Sequence, residues 1–166
     1  MNKKLPKRKR LRLQNYDYSS NGLYFVTICV KDKKPILSKI VGDDAHIVPK
    51  KVILKPYGEI VEKYINRVNL VYDNVSAEKH IIMPNHIHLL IFIDRYKNGT
   101  MWASSPTGLE NIIRSLKTLV TKEIGFSIWQ RSYYDEVILD ENHFQYVWNY
   151  IEFNALKEYP LKEENL

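Results

Sequence analysis

The stretch Met83–Ile93, MPNHIHLLIFI, constrains this chain more than any other. From Ile87 onward it is β-branched and apolar and reads as a strand with a period of two. Ile87, Leu89, Ile91 and Ile93 share one purely aliphatic face, and His86, His88, Leu90 and Phe92 share the other. Two imidazoles therefore stand at one end of a strand that is otherwise core. Neighbours along one face are roughly 7 Å apart, so their ring nitrogens can converge on one ion. The competing reading is a buried strand whose two His are satisfied by hydrogen bonds, and the residues alone leave both open. Pro84-Asn85 is turn chemistry, and His80–Met83 before it looks like an antiparallel partner strand.

A length of 166 residues suits one domain with a real core. We divide it into a basic arm, 1–12, and a single domain, 13–166. No apolar run approaches the ~20 residues of a membrane span. The first twelve residues hold seven Lys or Arg and no apolar core, so they are not a secretory signal. A single Cys29 excludes a disulfide framework and a Cys-based zinc site, and points to a reducing cytoplasm. The net charge is +6, with twelve Tyr, five Phe and three Trp. Phosphate backbones favour the charge and unstacked bases favour the rings, so nucleic acid is a better fit than a small molecule.

Along the chain, the arm is either a solvated tail or a phosphate clamp built from Lys7, Arg8, Lys9, Arg10 and Arg12. Leu23–Val30 is apolar throughout and predicts a central strand, followed by a turn at Lys31–Pro35. Residues 36–54 read as a hairpin-like insertion, with a turn at Gly42-Asp43-Asp44 and an edge strand, His46–Leu54, interrupted at Pro49. Pro56–Val68 is helical, with Pro56 in the first turn. Strands follow at Val75–Met83 and Ile87–Ile93, then a mobile polar loop at Asp94–Pro106. Leu109–Ile124 is a second helix ended by Gly125. Off its core face, Arg114 and Lys117 are either solvated or available to phosphates. Tyr134–Leu139 predicts a short strand, and Asp140 caps a last helix, Glu141–Lys157. Phe144, Trp148, Ile151 and Ala155 predict that helix's core stripe. His143, Val147, Tyr150 and Asn154 form an adjacent stripe about 100° round. Tyr150 and Asn154, at i and i+4, project together. By themselves they are a boundary Tyr capped by a hydrogen bond, or a hydroxyl and an amide presented for chemistry.

Met83–Leu89 (MPNHIHL), Trp129–Tyr134 (WQRSYY) and Tyr150–Asn154 (YIEFN), with the Tyr24–Thr27 strand, are together similar to the single-tyrosine, His-hydrophobic-His transposases. Within that family the chain resembles the REP-associated tyrosine transposases, from about Leu11 to Lys157. The His pair alone is a weak signal; inside a Met-Pro-Asn-His frame with a Tyr-x-x-x-Asn helix downstream it is specific. The resemblance implies an α+β fold: a ferredoxin-like antiparallel sheet with helices packed on it. The active site would lie between a central strand and the C-terminal helix, so that 13–166 is one catalytic domain. It implies that His86, His88 and Asn154 hold a divalent metal and that Tyr150 attacks a phosphodiester of single-stranded DNA beside a hairpin. The products would be a 5′-phosphotyrosine and a free 3′-hydroxyl. DNA contacts are expected from the arm residues, from Arg114 and Lys117, and from Gln130 and Arg131. Where many relatives have Asn-Pro, this chain has Asn154-Ala155, which lets the helix run on without removing the ligand.

These residue types suit that chemistry. A free Tyr has a pKa near 10, and a phosphodiester repels anions. A divalent ion on the phosphate oxygens withdraws charge and orients phosphorus. Two imidazoles and an amide oxygen without a thiolate suit Mg²⁺ or Mn²⁺. A covalent phosphotyrosine conserves the bond for rejoining, which a water nucleophile does not. Tyr146, one turn before Tyr150, is the runner-up nucleophile. A cupin site wants a Glu after its His-x-His, and a histidine-triad hydrolase wants a third His where Leu90 stands. The remaining rival is a DNA-hairpin-binding protein derived from a transposase and no longer cutting, against which the intact His86, His88, Tyr150 and Asn154 argue. Monomer and homodimer are both compatible with the sequence.

Overall fold

A computed structural model describes residues 21–42, 51–94 and 108–154. The chain runs β1 (Gly22–Cys29), β2 (Ser38–Val41), β3 (Lys51–Leu54), α1 (Pro56–Val71), β4 (Val75–Ile82), β5 (His86–Ile93), α2 (Leu109–Ile124), β6 (Tyr134–Ile138) and α3 (Glu141–Phe153). β4, β5, β1 and β6 lie side by side in that order, and each neighbouring pair is antiparallel. The connectivity β1–α1–β4–β5–α2–β6 is the split βαβ arrangement of ferredoxin-like folds, as expected. β2 and β3 pair with each other as an inserted hairpin. The expected turn at Asp43-Asp44, the first part of the edge strand, the loop after Asp94, the arm and the end of the last helix lie outside the described residues.

Alternation decides what covers the sheet. Ile87, Leu89, Ile91 and Ile93 of β5 and Tyr24, Val26 and Ile28 of β1 are buried in one core with Val61 and Ile65 of α1 and Ile112, Ile113 and Leu116 of α2. Burying each such aliphatic side chain contributes about 2 kcal/mol. The opposite face carries a smaller core, in which Leu90 packs with Val147, Tyr150 and Ile151 of α3, and Phe25 lies against them. The His face of β5 is therefore roofed by α3. Among the described residues no helix is long and apolar enough to cross a membrane.

Local chemistry places the ends. Pro56 opens α1, Gly125 closes α2 in the left-handed conformation at φ 91°, and Asp140 Oδ1 accepts from His143 N–H at 2.8 Å to cap α3. The Pro84-Asn85 turn is closed by Met83 N–H donating to His86 O at 2.9 Å. α1 docks against the insertion through Gly58, where an added Cβ would stand 2.0 Å from Leu37 O. That carbonyl already accepts from Lys55 N–H at 2.8 Å and cannot swing away freely. Gly58→Ala is expected to destabilise the fold by about 3 kcal/mol, the upper end for overpacking. Chemical denaturation of the variant beside the parent checks this.

The face of α3 differs from the expected one. Val147, Tyr150 and Ile151 are the buried residues, while Phe144 and Trp148 are only half-buried. Trp148 sits at the rim, where Lys79 Nζ lies 3.9 Å from its ring centroid and also pairs with Glu152. This cation–π contact favours a partly wet indole. The helix is rotated so that Tyr150 turns from the boundary to 8% exposure.

Candidate active site

Register brings the site together. In β1 and β5, Thr27 faces His88 and Cys29 faces His86 across the pair. His88 is 1% exposed. It stacks on Phe25 with ring centroids 5.1 Å apart, and its Nδ1 lies 2.8 Å from Thr27 Oγ1. His86 is half-buried, with Nδ1 2.6 Å from Asn85 Oδ1. Asn85 Oδ1 can only accept, so His86 carries its proton on Nδ1. Thr27 Oγ1 accepts from His88 Nδ1–H in the matching tautomer. An oxygen behind each ring is the usual support of a ligating His. Both Nε2 atoms then bear lone pairs, and they stand 3.1 Å apart.

α3 brings in the third group. The Tyr150 hydroxyl lies 3.3 Å from His88 Nε2, and its ring packs edge-on against Phe25 and His88 at centroid distances of 5.8 and 5.2 Å. Asn154, one turn on, is still in helical conformation, and its buried Nδ2 lies beside Tyr150 with no hydrogen bond of ordinary geometry among the described residues. Tyr146 stacks on Tyr150 with ring centroids 6.4 Å apart, but it is 62% exposed and has no described hydrogen bond to either imidazole. It is therefore the weaker nucleophile candidate.

Electrostatics make both rings neutral. Burial, reinforced by the Lys33 ammonium, lowers the His86 pKa to about 4. Burial and then His86 hold His88 well below its ordinary value. Burial raises the Tyr150 phenol above its usual value, the Asn154 side chain beside it offsets part of this, and Tyr146 adds to the rise. As it stands, Tyr150 is a poor nucleophile at neutral pH, and positive charge brought to its oxygen would lower the phenol's pKa.

The donors fit a hard divalent ion. In these tautomers two lone pairs face each other 3.1 Å apart and repel, and a cation between them would relieve this. The Tyr150 hydroxyl can donate to only one of the two. Adjacent ligands of an octahedral ion with bonds of about 2.1 Å are separated by about 3 Å, close to the spacing present. Turning the Asn154 amide about its last torsion exchanges the orphaned nitrogen for an oxygen at little steric cost. Among the described residues no group of three or more His, Cys, Asp and Glu forms a metal cluster. A metal here would depend on these three neutral donors.

The expected DNA-contacting residues separate into groups. Lys7, Arg8, Lys9, Arg10 and Arg12 lie outside the described residues. Arg114 is 67% exposed and pairs with Glu110, at 3.3 Å, along its helix. Lys117 Nζ donates to the carbonyls of Gln130 and Arg131 at 2.7 and 3.1 Å, and burial lowers its pKa. Its ammonium is already engaged in holding the 130–132 segment. Gln130 N–H in turn donates to Cys29 O at 2.9 Å, so Gln130 and Arg131 reach the sheet end that carries His86. Arg131 is exposed there. Sequence reasoning did not single out Thr27, Phe25, Lys33 or the Asn85 side chain. For the first two, the available signal was alternation in β1, which puts Phe25, Thr27 and Cys29 on one face, but not which of them meets which His.

Comparison with known proteins agrees with the fold. No protein-family model matches this chain. The solved structure of a REP-associated tyrosine transposase bound to a REP hairpin superposes with a TM-score of 0.59 and 15% identity, over 87% of this chain and 73% of that one. An uncharacterized protein of Haemophilus influenzae is 30% identical over 167 aligned positions, 90% of this chain and 88% of that protein. By that identity and coverage, the chain belongs to the same protein family as the Haemophilus influenzae protein.

Proposed function

We propose that this chain is a transposase-like enzyme that cuts and rejoins single-stranded DNA beside a hairpin, with Tyr150 as nucleophile and a divalent ion, Mg²⁺ or Mn²⁺, held by His86, His88 and Asn154. The observation that carries the reading is the meeting of the Tyr150 hydroxyl, from α3, with two neutral imidazoles from β5 whose Nε2 atoms face each other. The fold shared with a transposase that binds a REP hairpin supports the same substrate class. The presence of His86, His88, Tyr150 and Asn154 together argues against a non-catalytic hairpin binder.

In this reading the ion would draw charge from the phosphate and stabilise the phenolate when bound. The chain does the rest. Thr27 and Asn85 hold the rings with their Nε2 atoms forward. Phe25 and Leu90 pack around Tyr150 and exclude water from its ring side. The Tyr150 oxygen forms a bond to phosphorus, the bond from phosphorus to the 3′-oxygen breaks, and that oxygen leaves as a 3′-hydroxyl after taking up a proton. The phenol proton goes to solvent. The 5′-phosphate remains on Tyr150, and attack by a 3′-hydroxyl reverses the step.

The test is incubation of the protein with hairpin-bearing single strands from the DNA flanking its gene, with Mn²⁺, followed by mass spectrometry for a nucleotide adduct on Tyr150. No adduct on any such strand would sink the reading. Removing residues 1–12 is expected to weaken DNA binding and to lower its salt slope by about 0.7 for each phosphate the arm neutralises. Cleavage at saturating DNA should persist. Fluorescence anisotropy over a salt series measures the slope, and an unchanged slope returns the arm to a solvated tail.

A further inference from the structure

The turn after β1 is fastened to the turn that presents His86. Val30 N–H donates to Asn85 O at 2.8 Å, and Leu37 N–H donates to Pro84 O at 3.0 Å. Between these anchors Lys31 N–H donates to Ile128 O at 2.8 Å, and Lys33 N–H donates to Val30 O at 3.1 Å. Asp32 and Lys33 both adopt the left-handed conformation, at φ 58° and 51°. Asp tolerates that region; Lys enters it rarely, and only where the surroundings hold it. The anchored backbone thus fixes Lys33 at the sheet end where Cys29 and His86 pair. Its side chain is exposed and forms no ion pair among the described residues.

The charge balance here is unusual for a cation site. His86, His88 and Asn154 are neutral donors, and the side chain that the anchored turn carries at this end of the sheet, Lys33, is cationic. A hard divalent ion held without a carboxylate and beside an ammonium binds weakly. A phosphodiester changes both terms, because its oxygen is an anionic ligand for the ion and a counter-charge for Lys33.

We propose that Lys33 binds the scissile phosphate and makes cation and DNA binding at this site mutually dependent. The ammonium opposes a cation in the DNA-free protein and favours the phosphate that then brings the cation in. The proposal rests on the metal-dependent reading above, but it can be tested without cleavage.

Mn²⁺ is titrated into the full chain and followed by electron paramagnetic resonance, with and without a hairpin-bearing single strand from the flanking DNA. The Tyr150→Phe background keeps the strand intact. DNA is expected to raise Mn²⁺ affinity about tenfold, within the usual range of coupled sites. Lys33→Ala should raise Mn²⁺ affinity of the DNA-free protein by about threefold and shrink the gain from DNA, and Lys33→Arg should restore both. If Lys33→Ala changes neither quantity, Lys33 has no such role, even where the parent chain forms the Tyr150 adduct. If the coupling and its Lys33 dependence hold but the parent chain forms no adduct, the cleavage reading falls and this one stands. Absence of Mn²⁺ binding with and without DNA overturns both.

Discussion

Tyr150→Phe is expected to remove covalent adduct formation entirely while leaving the fold and hairpin binding near those of the parent. The variant loses one oxygen. Its ring stays edge-on to Phe25 and His88 and buried beside Val147 and Ile151. Removing the hydroxyl's hydrogen bond to His88, at 3.3 Å, costs about 1 kcal/mol. Tyr146, the runner-up, is not an equivalent, because it is 62% exposed and has no described hydrogen bond to either imidazole. Mass spectrometry after incubation with a hairpin-bearing strand reads the adduct, and a thermal melt reads the fold. Adduct retained in Tyr150→Phe and lost in Tyr146→Phe would place the nucleophile one turn earlier.

The second large effect concerns the His pair. His86→Ala removes one neutral donor and leaves the half-buried strand end otherwise intact. Adduct formation should fall at least about 100-fold, since even loss of an outer support of a metal ligand costs about 10- to 100-fold. High Mn²⁺ should recover part of the rate, and hairpin affinity measured without added metal should change little. Thr27→Val tests the support directly. It removes the oxygen 2.8 Å from His88 Nδ1 while keeping the shape of the side chain, so a loss of about 10- to 100-fold is expected. His88→Ala is the less clean variant, because it also opens a void beside Phe25 in the buried layer. EDTA should abolish adduct formation in the parent chain. Cleavage that survives thorough EDTA treatment, or hairpin binding destroyed by His86→Ala in a folded protein, would mean that the pair does not serve a metal.

Much of this architecture follows from neighbouring residues. Alternation in Met83–Ile93 dictates a strand with one aliphatic face and one face bearing both imidazoles, and β5 has that form with its aliphatic side in the main core. Pro56, Gly125, Pro84-Asn85 and Asp140 set helix ends and a turn through backbone preferences that act within a few residues. The spacing of Tyr150 and Asn154 ensures that they share a helix face.

What the chain's order does not contain is how separate elements meet. Thr27 and His88 are 61 positions apart, and only the β1–β5 register makes one the support of the other. The rotation of α3 is settled by the sheet face beneath it and by Lys79 on the rim, which leave Trp148 half-buried and Tyr150 covered, against the stripe that periodicity favoured. Lys117 reads as a free cation on a helix and becomes a clasp because three carbonyls of a distant segment arrive at its ammonium. Lys33 reads as one more basic residue in a turn, and the bonds to Pro84, Asn85 and Ile128 fix that turn beside the imidazoles. Periodicity and capping are short-range and can be read from sequence. Register, helix rotation and the positions of charges depend on long-range packing, and only the tertiary structure decides them.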